Sequence, residues 1–199
     1  AGYFAFSDEL IATICYALSM GLDAIDGTVA RMFNQTSTFG AQLDMLADRM
    51  TTTCLYVVLS TMYPDYWYLG ALGIMLDIVS HWMHVMSKGE AGNVSHKTGR
   101  NIFLHYYYQF PYFMLTLCIG QEIFLLKYFL QSYLSKRVSW ANDMLSTFPV
   151  WHILFALYSL KQLANFIQLL EAVDYYASKD LAKKQAKSSK SSSKKPKSK

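Results

Sequence analysis

Four aspartates recur at helical spacing within an apolar part of this sequence, at positions Asp23, Asp26, Asp44 and Asp48. The first two are three residues apart and the last two are four apart, so each pair would lie on one face of a helix. A carboxylate at membrane depth costs roughly 2.5–3.5 kcal/mol on insertion scales, so four of them need a compensating charge. Hard divalent cations such as Mg²⁺ or Mn²⁺ take oxygen ligands. The aspartates therefore predict a metal site, holding two ions, within a membrane.

The residues around these aspartates favour chemistry on a phosphate group. A helical hairpin that turns at residues 34–37 would bring the two acidic faces together. Gly27, Ala30 and Gly40 remove side-chain bulk, which allows close approach of a helix or a ligand, and Arg31 could meet a phosphate. Two metal ions held by carboxylates suit a displacement at phosphorus, in which one carboxylate takes the proton of the attacking hydroxyl. Solvated charges at two helix ends are the alternative interpretation.

Five apolar helices would position these residues, which makes the fold class an all-α, polytopic integral membrane helix bundle. Hydrophobic residues form 53% of the chain and charged residues 16%, whereas about a quarter of the residues in soluble domains are charged. The predicted spans are 3–22 with a continuation at 24–33, 38–62, 66–86, 102–118 and 148–176. Most are near the roughly 20 residues that cross a hydrocarbon core. Residues 123–133 could continue the fourth span or form a re-entrant piece, and a polar loop is expected over 87–101.

The basic charge of the chain is concentrated in a tail. The net charge is +4, but residues 179–199 contain nine lysines and one aspartate, which leaves nine basic and thirteen acidic residues in the transmembrane domain, residues 1–178. The tail is rich in Lys and Ser, so we expect it to be disordered beyond its first turns. Membrane lipids with anionic headgroups suit it as partners, and we expect no nucleic acid. Basic residues favour the cytosolic side of a membrane, so we expect the tail to be cytosolic. Counting back through the alternating spans places the aspartates on the same side.

The spacing of the acidic and small residues is itself a specific motif. Residues 23–48 fit the pattern D-x2-D-G-x2-A-R-x8-G-x3-D-x3-D at every defined position. In this respect the chain resembles the CDP-alcohol phosphotransferase family. The resemblance implies a six-helix membrane fold, usually a homodimer, that transfers a phosphatidyl or related group from a CDP-linked donor to an alcohol and releases CMP. Five predicted helices against six imply that the first family helix is absent from this sequence.

The resemblance also implies a role for each motif residue. Asp23, Asp26 and Asp44 would bind the divalent metal, Mn²⁺ or Mg²⁺, and Asp48 would complete the metal site and act as the general base. The CDP moiety of the donor would contact the small residues and the arginine of the motif, which are Gly27, Ala30, Arg31 and Gly40. We expect the chain to be an integral membrane protein of the endoplasmic reticulum, with its active site facing the cytosol.

The residues flanking the motif narrow the choice of acceptor alcohol. They resemble eukaryotic members of the family that transfer the phosphatidyl group of CDP-diacylglycerol to myo-inositol. This resemblance rests on residues 34–35, 39–41, 43–45, 48–49, 76–84 and 95–97. The same chemistry with glycerol 3-phosphate or serine as the acceptor is an alternative, and so is a membrane transporter with a carboxylate-lined path.

Polar residues on one face of the third predicted span could form the inositol site. Asp77, Ser80, His81 and His84 recur there at helical spacing. Arg49, which directly follows the predicted general base, is a further candidate contact for inositol. Alternatives stay open for three of them. The two histidines could instead make hydrogen bonds between helices, and Asp77 could hold Arg49 in place or fix a histidine tautomer.

Overall fold

The computed structural model describes residues 7–90, 101–135 and 150–193. Within these ranges the chain forms α-helices and one short 3-10 turn, and no β-strand. The predicted all-α helix bundle is therefore confirmed. The beginnings of the first and fifth predicted spans, most of the predicted 87–101 loop and the flanking stretch 95–97 lie outside the described residues.

In the described part of the chain, six helices follow one another. They are α1 (Glu9–Met32), α2 (Thr38–Met62), α3 (Trp67–Glu90), α4 (Ile102–Gln109), α5 (Pro111–Ser135) and α6 (Val150–Ser193), with the 3-10 turn Pro64–Tyr66 between α2 and α3. Polar side chains cap several helix starts by accepting hydrogen bonds from free backbone N–H groups. Asp8 accepts from Ile11 at 3.1 Å before α1, and Asn101 accepts from Phe103 at 2.8 Å before α4.

The predicted fourth span is in fact two helices. α4 begins at Ile102 as predicted, but it ends at Gln109, and the long helix α5 begins at Pro111. Phe110 between them has an extended backbone, with φ −108° and ψ 93°. Proline disfavours a helical conformation in the residue before it and has no N–H to donate, so the helix breaks there. The stretch 123–133 continues α5 and is not a separate re-entrant piece.

Among the residues that the structure describes, four segments are long and apolar enough to cross a membrane: Leu10–Met32, Pro64–Glu90, Tyr112–Ser132 and Val150–Ser188. The predicted second span, α2, is not among them, because its first half carries two aspartates and an arginine. The outward surfaces of the helices are apolar. On α1, for example, Leu18 and Leu22 are 61% and 64% exposed, as expected of side chains that face lipid.

The helix that leads into the lysine-rich tail is longer than predicted. α6 continues without a break through residue 193, so residues 179–193 are helical, while residues 194–199 lie outside the described part of the chain. Lysine and alanine are good helix formers, and the segment is fused to an apolar helix that is already formed. An ion pair between Lys183 and Asp180, at 3.8 Å and three residues apart, adds local support.

α6 is the centre of the bundle, since it packs against α3, α4 and α5, while α2 packs against α3 and α5. Glycine allows close approaches between these helices. A Cβ on Gly120 of α5 would lie 2.7 Å from Cβ of Leu157 on α6, and a Cβ on Gly73 of α3 would lie 2.7 Å from the ring of Tyr56 on α2. These contacts bring α2, α3, α5 and α6 close together, and the ends of α2 and α3 then position the candidate site.

Candidate active site

The predicted turn at 34–37 is a compact connection between α1 and α2. Asn34 has a positive φ of 53°, and the N–H of Gln35 donates to the carbonyl of Ala30 at 2.8 Å while the N–H of Asn34 donates to that of Arg31 at 3.2 Å. This bonding is the Schellman motif, in which a left-handed residue ends a helix. Ser37 then caps α2 by accepting from the N–H of Gly40 at 2.9 Å. The turn folds α1 and α2 into the hairpin that the acidic residues require.

Three of the four aspartates converge across this hairpin. Asp23 and Asp26 of α1 and Asp44 of α2 each offer a carboxylate oxygen, and the three oxygens lie within 4.8 Å of one another. Asp48 lies one turn further along α2 and interacts with Asp23. Ligand oxygens of a divalent ion lie about 2.0–2.6 Å from it, so two ligands of one ion are at most about 5 Å apart. The carboxylates of Asp23, Asp26 and Asp44 therefore have the spacing that a shared metal ion requires.

The charge balance of this group also suits a metal ion. Three carboxylates this close repel one another unless a positive charge lies between them. Within the described ranges, neither arginine of the hairpin forms an ion pair with Asp23, Asp26 or Asp44, because Arg31 donates to Thr28 at 3.0 Å and Arg49 contacts other acids. An all-oxygen set of carboxylates is what Mg²⁺ and Mn²⁺ prefer. The residues present thus fit a divalent cation.

The predicted general base is adjacent to a buried ion pair. Arg49 donates from Nη1 to both carboxylate oxygens of Asp77 on α3, at 2.8 and 3.1 Å, and its Nη2 lies 3.5 Å from Oδ2 of Asp48. The side chain of Asp77 is 2% exposed and that of Asp48 is 39% exposed. Asp48 can therefore be reached from outside the bundle, whereas Asp77 cannot, and the structure favours the alternative in which Asp77 holds Arg49.

A lysine and an asparagine of α6 complete this buried polar group. Asn165 donates to Oδ1 of Asp77 at 3.2 Å, and Nζ of Lys161 donates to Oδ1 of Asn165 at 2.5 Å. Lys161 and Asn165 are almost fully buried. The sequence analysis missed both residues. Their signal was a polar stripe at positions i, i+4 and i+7 of an apolar helix, formed by Lys161, Asn165 and Gln168.

The predicted CDP-contacting residues line the α1 side of the hairpin and the start of α2. The guanidinium of Arg31 lies beside Gly27, since a Cβ added to Gly27 would be 3.5 Å from Nη1. Ala30 is half-buried one residue before this arginine. Gly40 has Ser37 over it, with Oγ 3.0 Å from the position of an added Cβ. These four positions are thus near the carboxylates in the chain.

The predicted acceptor residues on α3 make bonds within the bundle. Nδ1 of His81 lies 2.7 Å from the carbonyl of Asp77, and because a carbonyl can only accept, that nitrogen carries the proton. Ser80 is fully buried and donates to the same carbonyl at 3.1 Å. Nε2 of His84 lies 3.0 Å from Oη of Tyr108 on α4, which is the interhelical hydrogen bond given above as an alternative. Their part in inositol binding stays a prediction.

A largely apolar cavity of about 280 Å³ opens next to the carboxylates, between α1, α2 and α5. Ser19, one turn before Asp23, and Thr51, three residues after Asp48, belong to its wall. The remaining lining residues are mainly apolar and include Cys54 and Leu126. A polar site with an apolar cavity beside it suits a ligand that has a charged head and hydrocarbon chains.

The Arg49–Asp77 ion pair can be tested with a double-mutant cycle. Asp77→Asn removes one partner of a buried pair, which typically costs about 3–5 kcal/mol, so we expect a marked loss of thermal stability in detergent. Arg49→Gln should have a similar effect, and the double variant should lose less than the two single losses combined, by roughly 0.5–3 kcal/mol. Strictly additive losses would show that the two side chains do not support each other.

Comparison with known proteins gives the same assignment as the motif. The sequence model of the CDP-alcohol phosphatidyltransferase family matches residues 3–173. Three relatives, all named CDP-diacylglycerol–inositol 3-phosphatidyltransferase, illustrate the similarity. The protein from Saccharomyces cerevisiae is 38% identical over 173 residues, covering 84% of this chain and 74% of its own. The Arabidopsis thaliana protein 1 is 37% identical over 194 residues, covering 90% and 83%. The human protein is 42% identical over 125 residues, covering 61% and 59%.

No solved structure matches this chain. The family model nevertheless covers far more than half of its length, and two of these relatives exceed 30% identity over more than four-fifths of it. The matched region contains the hairpin with the converging carboxylates and the buried groups behind it. The chain is therefore a member of the CDP-alcohol phosphatidyltransferase family.

Proposed function

We propose that this protein transfers the phosphatidyl group of CDP-diacylglycerol to myo-inositol, giving phosphatidylinositol and CMP. The observation that carries the proposal is the convergence of Asp23, Asp26 and Asp44 across the hairpin of α1 and α2. The family match and the names of its relatives support the same reaction. Glycerol 3-phosphate or serine as the acceptor is the alternative, and the acceptor experiment below decides between them.

The carboxylates would hold two divalent ions, Mn²⁺ or Mg²⁺. Asp23, Asp26 and Asp44 supply oxygens at suitable spacing, and Asp48 adds a fourth carboxylate within reach of Asp23. When bound there, such ions supply charge neutralisation of the phosphate oxygens and of the leaving CMP. Gly27, Ala30, Arg31 and Gly40 leave space and a cation for the CDP moiety at the same end of the hairpin.

Asp48 is the proposed general base. It takes the proton of one inositol hydroxyl as that oxygen bonds to the phosphorus that carries diacylglycerol. The bond from this phosphorus to the oxygen of the CMP phosphate breaks, and CMP leaves. Asp48 suits the role because its carboxylate is reachable, whereas that of Asp77 is buried. Arg49 lies 3.5 Å from it and is itself fixed by Asp77, which keeps the base oriented.

The inositol site is proposed on the α3 side of Asp48. Inositol is small, uncharged and rich in hydroxyl groups, so it needs several hydrogen-bonding side chains. His81 and His84 are half-buried there, one turn apart, and together with Arg49 they are the proposed contacts. Asp77 and Ser80 are nearly fully buried, so we assign them to holding Arg49 and His81 in position.

The diacylglycerol part of the donor is proposed to enter the apolar cavity between α1, α2 and α5. This cavity begins one turn from the carboxylates and is lined mainly by apolar side chains. The lipid chains could then stay in the bilayer while the diphosphate reaches the metal site. We further propose a homodimer in the endoplasmic reticulum, with the site and the lysine-rich end of α6 facing the cytosol, from the family resemblance and the positive-inside rule.

The function is tested by the release of labelled CMP from CDP-diacylglycerol with a panel of alcohols. We expect the purified protein with Mn²⁺ to release CMP with myo-inositol and to release little with glycerol 3-phosphate or serine. Faster release with either of those alcohols would replace inositol as the acceptor. If no alcohol supports release while CDP-diacylglycerol leaves the melting temperature unchanged, transport would be favoured over transfer.

The role of Asp48 is tested by Asp48→Asn. Loss of a general base typically lowers turnover by about 10²–10⁴-fold, so kcat should fall at least a hundredfold. The stabilisation of the protein by CDP with Mn²⁺ should persist, because three other carboxylates remain. Near-normal turnover in this variant would show that another group takes the proton.

The lipid cavity is tested by Cys54→Trp, which places a large side chain in its wall. The KM for CDP-diacylglycerol should rise about tenfold, with little change in the KM for inositol. Val57→Trp is the matched control, because Val57 lies on the same helix, is 49% exposed and does not line the cavity. Equal effects of the two substitutions would contradict the proposed location of the lipid chains.

A further inference from the structure

A carboxyl group in the middle of α5 connects three helices of the bundle. Oε2 of Glu122 accepts a hydrogen bond from Oη of Tyr16 on α1 at 2.5 Å, and its Oε1 accepts one from Oγ1 of Thr52 on α2 at 2.8 Å. Tyr16 is 6% exposed and Thr52 is 3% exposed. The mechanism above gives no role to these two hydrogen bonds, although Tyr16 also belongs to the wall of the proposed lipid cavity. An acidic group among lipid-facing helices is costly to keep there.

The group lies directly beneath the carboxylates on both arms of the hairpin. Tyr16 precedes Asp23 by seven residues, which is about two helical turns and places both on one face of α1. Thr52 follows Asp48 by four residues, and its hydroxyl also lies 3.1 Å from the backbone carbonyl of Asp48. Glu122 thus joins α1 to α2 within one or two turns of the residues that would bind metal.

α1 has few other attachments. Among the described residues its packing is mainly against α5, and most of its surface is exposed apolar side chain. The connection to α2 at residues 33–37 is short, but a short turn alone lets one helix pivot against the other. The hydrogen bond from Tyr16 to Glu122 is therefore an important restraint on the position of α1 along α2.

Glu122 is itself fixed from the opposite side. Nε2 of Gln121 lies 3.4 Å from Oε1 of Glu122, and Oε1 of Gln121 accepts from Nε2 of Gln162 on α6 at 2.9 Å. Gln121 is 1% exposed. The carboxyl group is thus held by the central helix of the bundle and can act as a fixed point for α1 and α2.

We propose that Glu122 is a positioning residue, which holds the aspartates of α1 in register with those of α2 so that together they bind the divalent cation. The positioning role rests on the function proposed above, because it takes the aspartates of α1 and α2 to be metal ligands. Coordination distances tolerate only a few tenths of an ångström, so a small shift of α1 would separate Asp23 and Asp26 from Asp44. Hydrogen bonds to an ionised carboxylate are roughly twice as strong as neutral ones, which suits Glu122 to this task.

The test is Mn²⁺ binding to the full chain in detergent, measured by electron paramagnetic resonance. Glu122→Gln keeps the size of the side chain but removes its charge and one acceptor. We expect the Kd for Mn²⁺ to rise about tenfold, as with other residues that orient metal ligands. The activity of Glu122→Gln should recover substantially at high Mn²⁺, since the aspartates and the base are intact. Tyr16→Phe should shift the Kd in the same direction and covers the case in which Glu122→Gln does not fold.

Tyr158→Phe is the matched control. It also removes one tyrosine hydroxyl that bonds between helices, since Oη of Tyr158 accepts from Oη of Tyr56 at 3.2 Å, but neither residue contacts Glu122 or the aspartates. It should lower the melting temperature and leave the Kd for Mn²⁺ unchanged. Wild-type affinity for Mn²⁺ in both Glu122→Gln and Tyr16→Phe would overturn the proposal, as would an equal loss in Tyr158→Phe.

The same measurements separate this proposal from the proposed function. Release of CMP by the wild-type protein with inositol tests the reaction, whereas the change in Kd tests the positioning role. If the wild-type protein binds Mn²⁺ but releases no CMP, and Glu122→Gln binds Mn²⁺ more weakly, the proposed reaction would be contradicted and the positioning role supported. Normal CMP release together with unchanged Mn²⁺ binding in the variants would do the reverse.

Discussion

The ion pair between Arg49 and Asp77 is the interaction on which the arrangement of the site depends. Two opposite charges inside a helix bundle attract strongly because little water screens them, and either one alone would be expensive to bury. Arg49 directly follows Asp48, so fixing its side chain against α3 also fixes the turn of α2 that carries the proposed base. Asn165 and Lys161 extend this group to α6. The carboxylate of Asp48 is left facing the open side of the hairpin.

The bundle thus combines a polar interior with an apolar exterior. The fully buried residues include Asp77, Ser80, Gln121, Lys161 and Asn165, whereas many large apolar side chains are exposed. In lipid, apolar side chains gain little by turning inward, and polar groups must find partners inside the protein. The hydrogen-bonded groups centred on Asp77 and on Glu122 therefore do much of the work that an apolar core does in a soluble domain.

The local features of this site were predictable from the sequence. Spacings of three and four residues determine which side chains share a helix face, and the polar run 34–37 contains the residues that end one helix and cap the next. The break at Pro111 and the length of the helix that leads into the tail were not predicted correctly, although proline chemistry could have indicated the first. The choice between the two roles of Asp77 needed the position of Arg49 across the bundle. The partners of Glu122 on α1 and α2 lie 106 and 70 residues away in the chain, and only tertiary packing reveals them. Lys161 bonds to Asn165 on a polar stripe of α6 that was overlooked.

The unbroken course of α6 changes how its lysines can meet the membrane. At 1.5 Å per residue its 44 residues extend about 66 Å, roughly twice the thickness of a hydrocarbon core. Lys179 pairs with Glu90 at the end of α3, so both charges lie at one height along the bundle. If α6 stands perpendicular to the bilayer and this ion pair lies at the bilayer surface, Lys187 is about 12 Å further out. That distance exceeds the Debye length of roughly 8 Å at physiological ionic strength. Only the lysines nearest Glu90 would then be attracted to the lipid headgroups, and the charges of the outer lysines would be screened by the ions in solution.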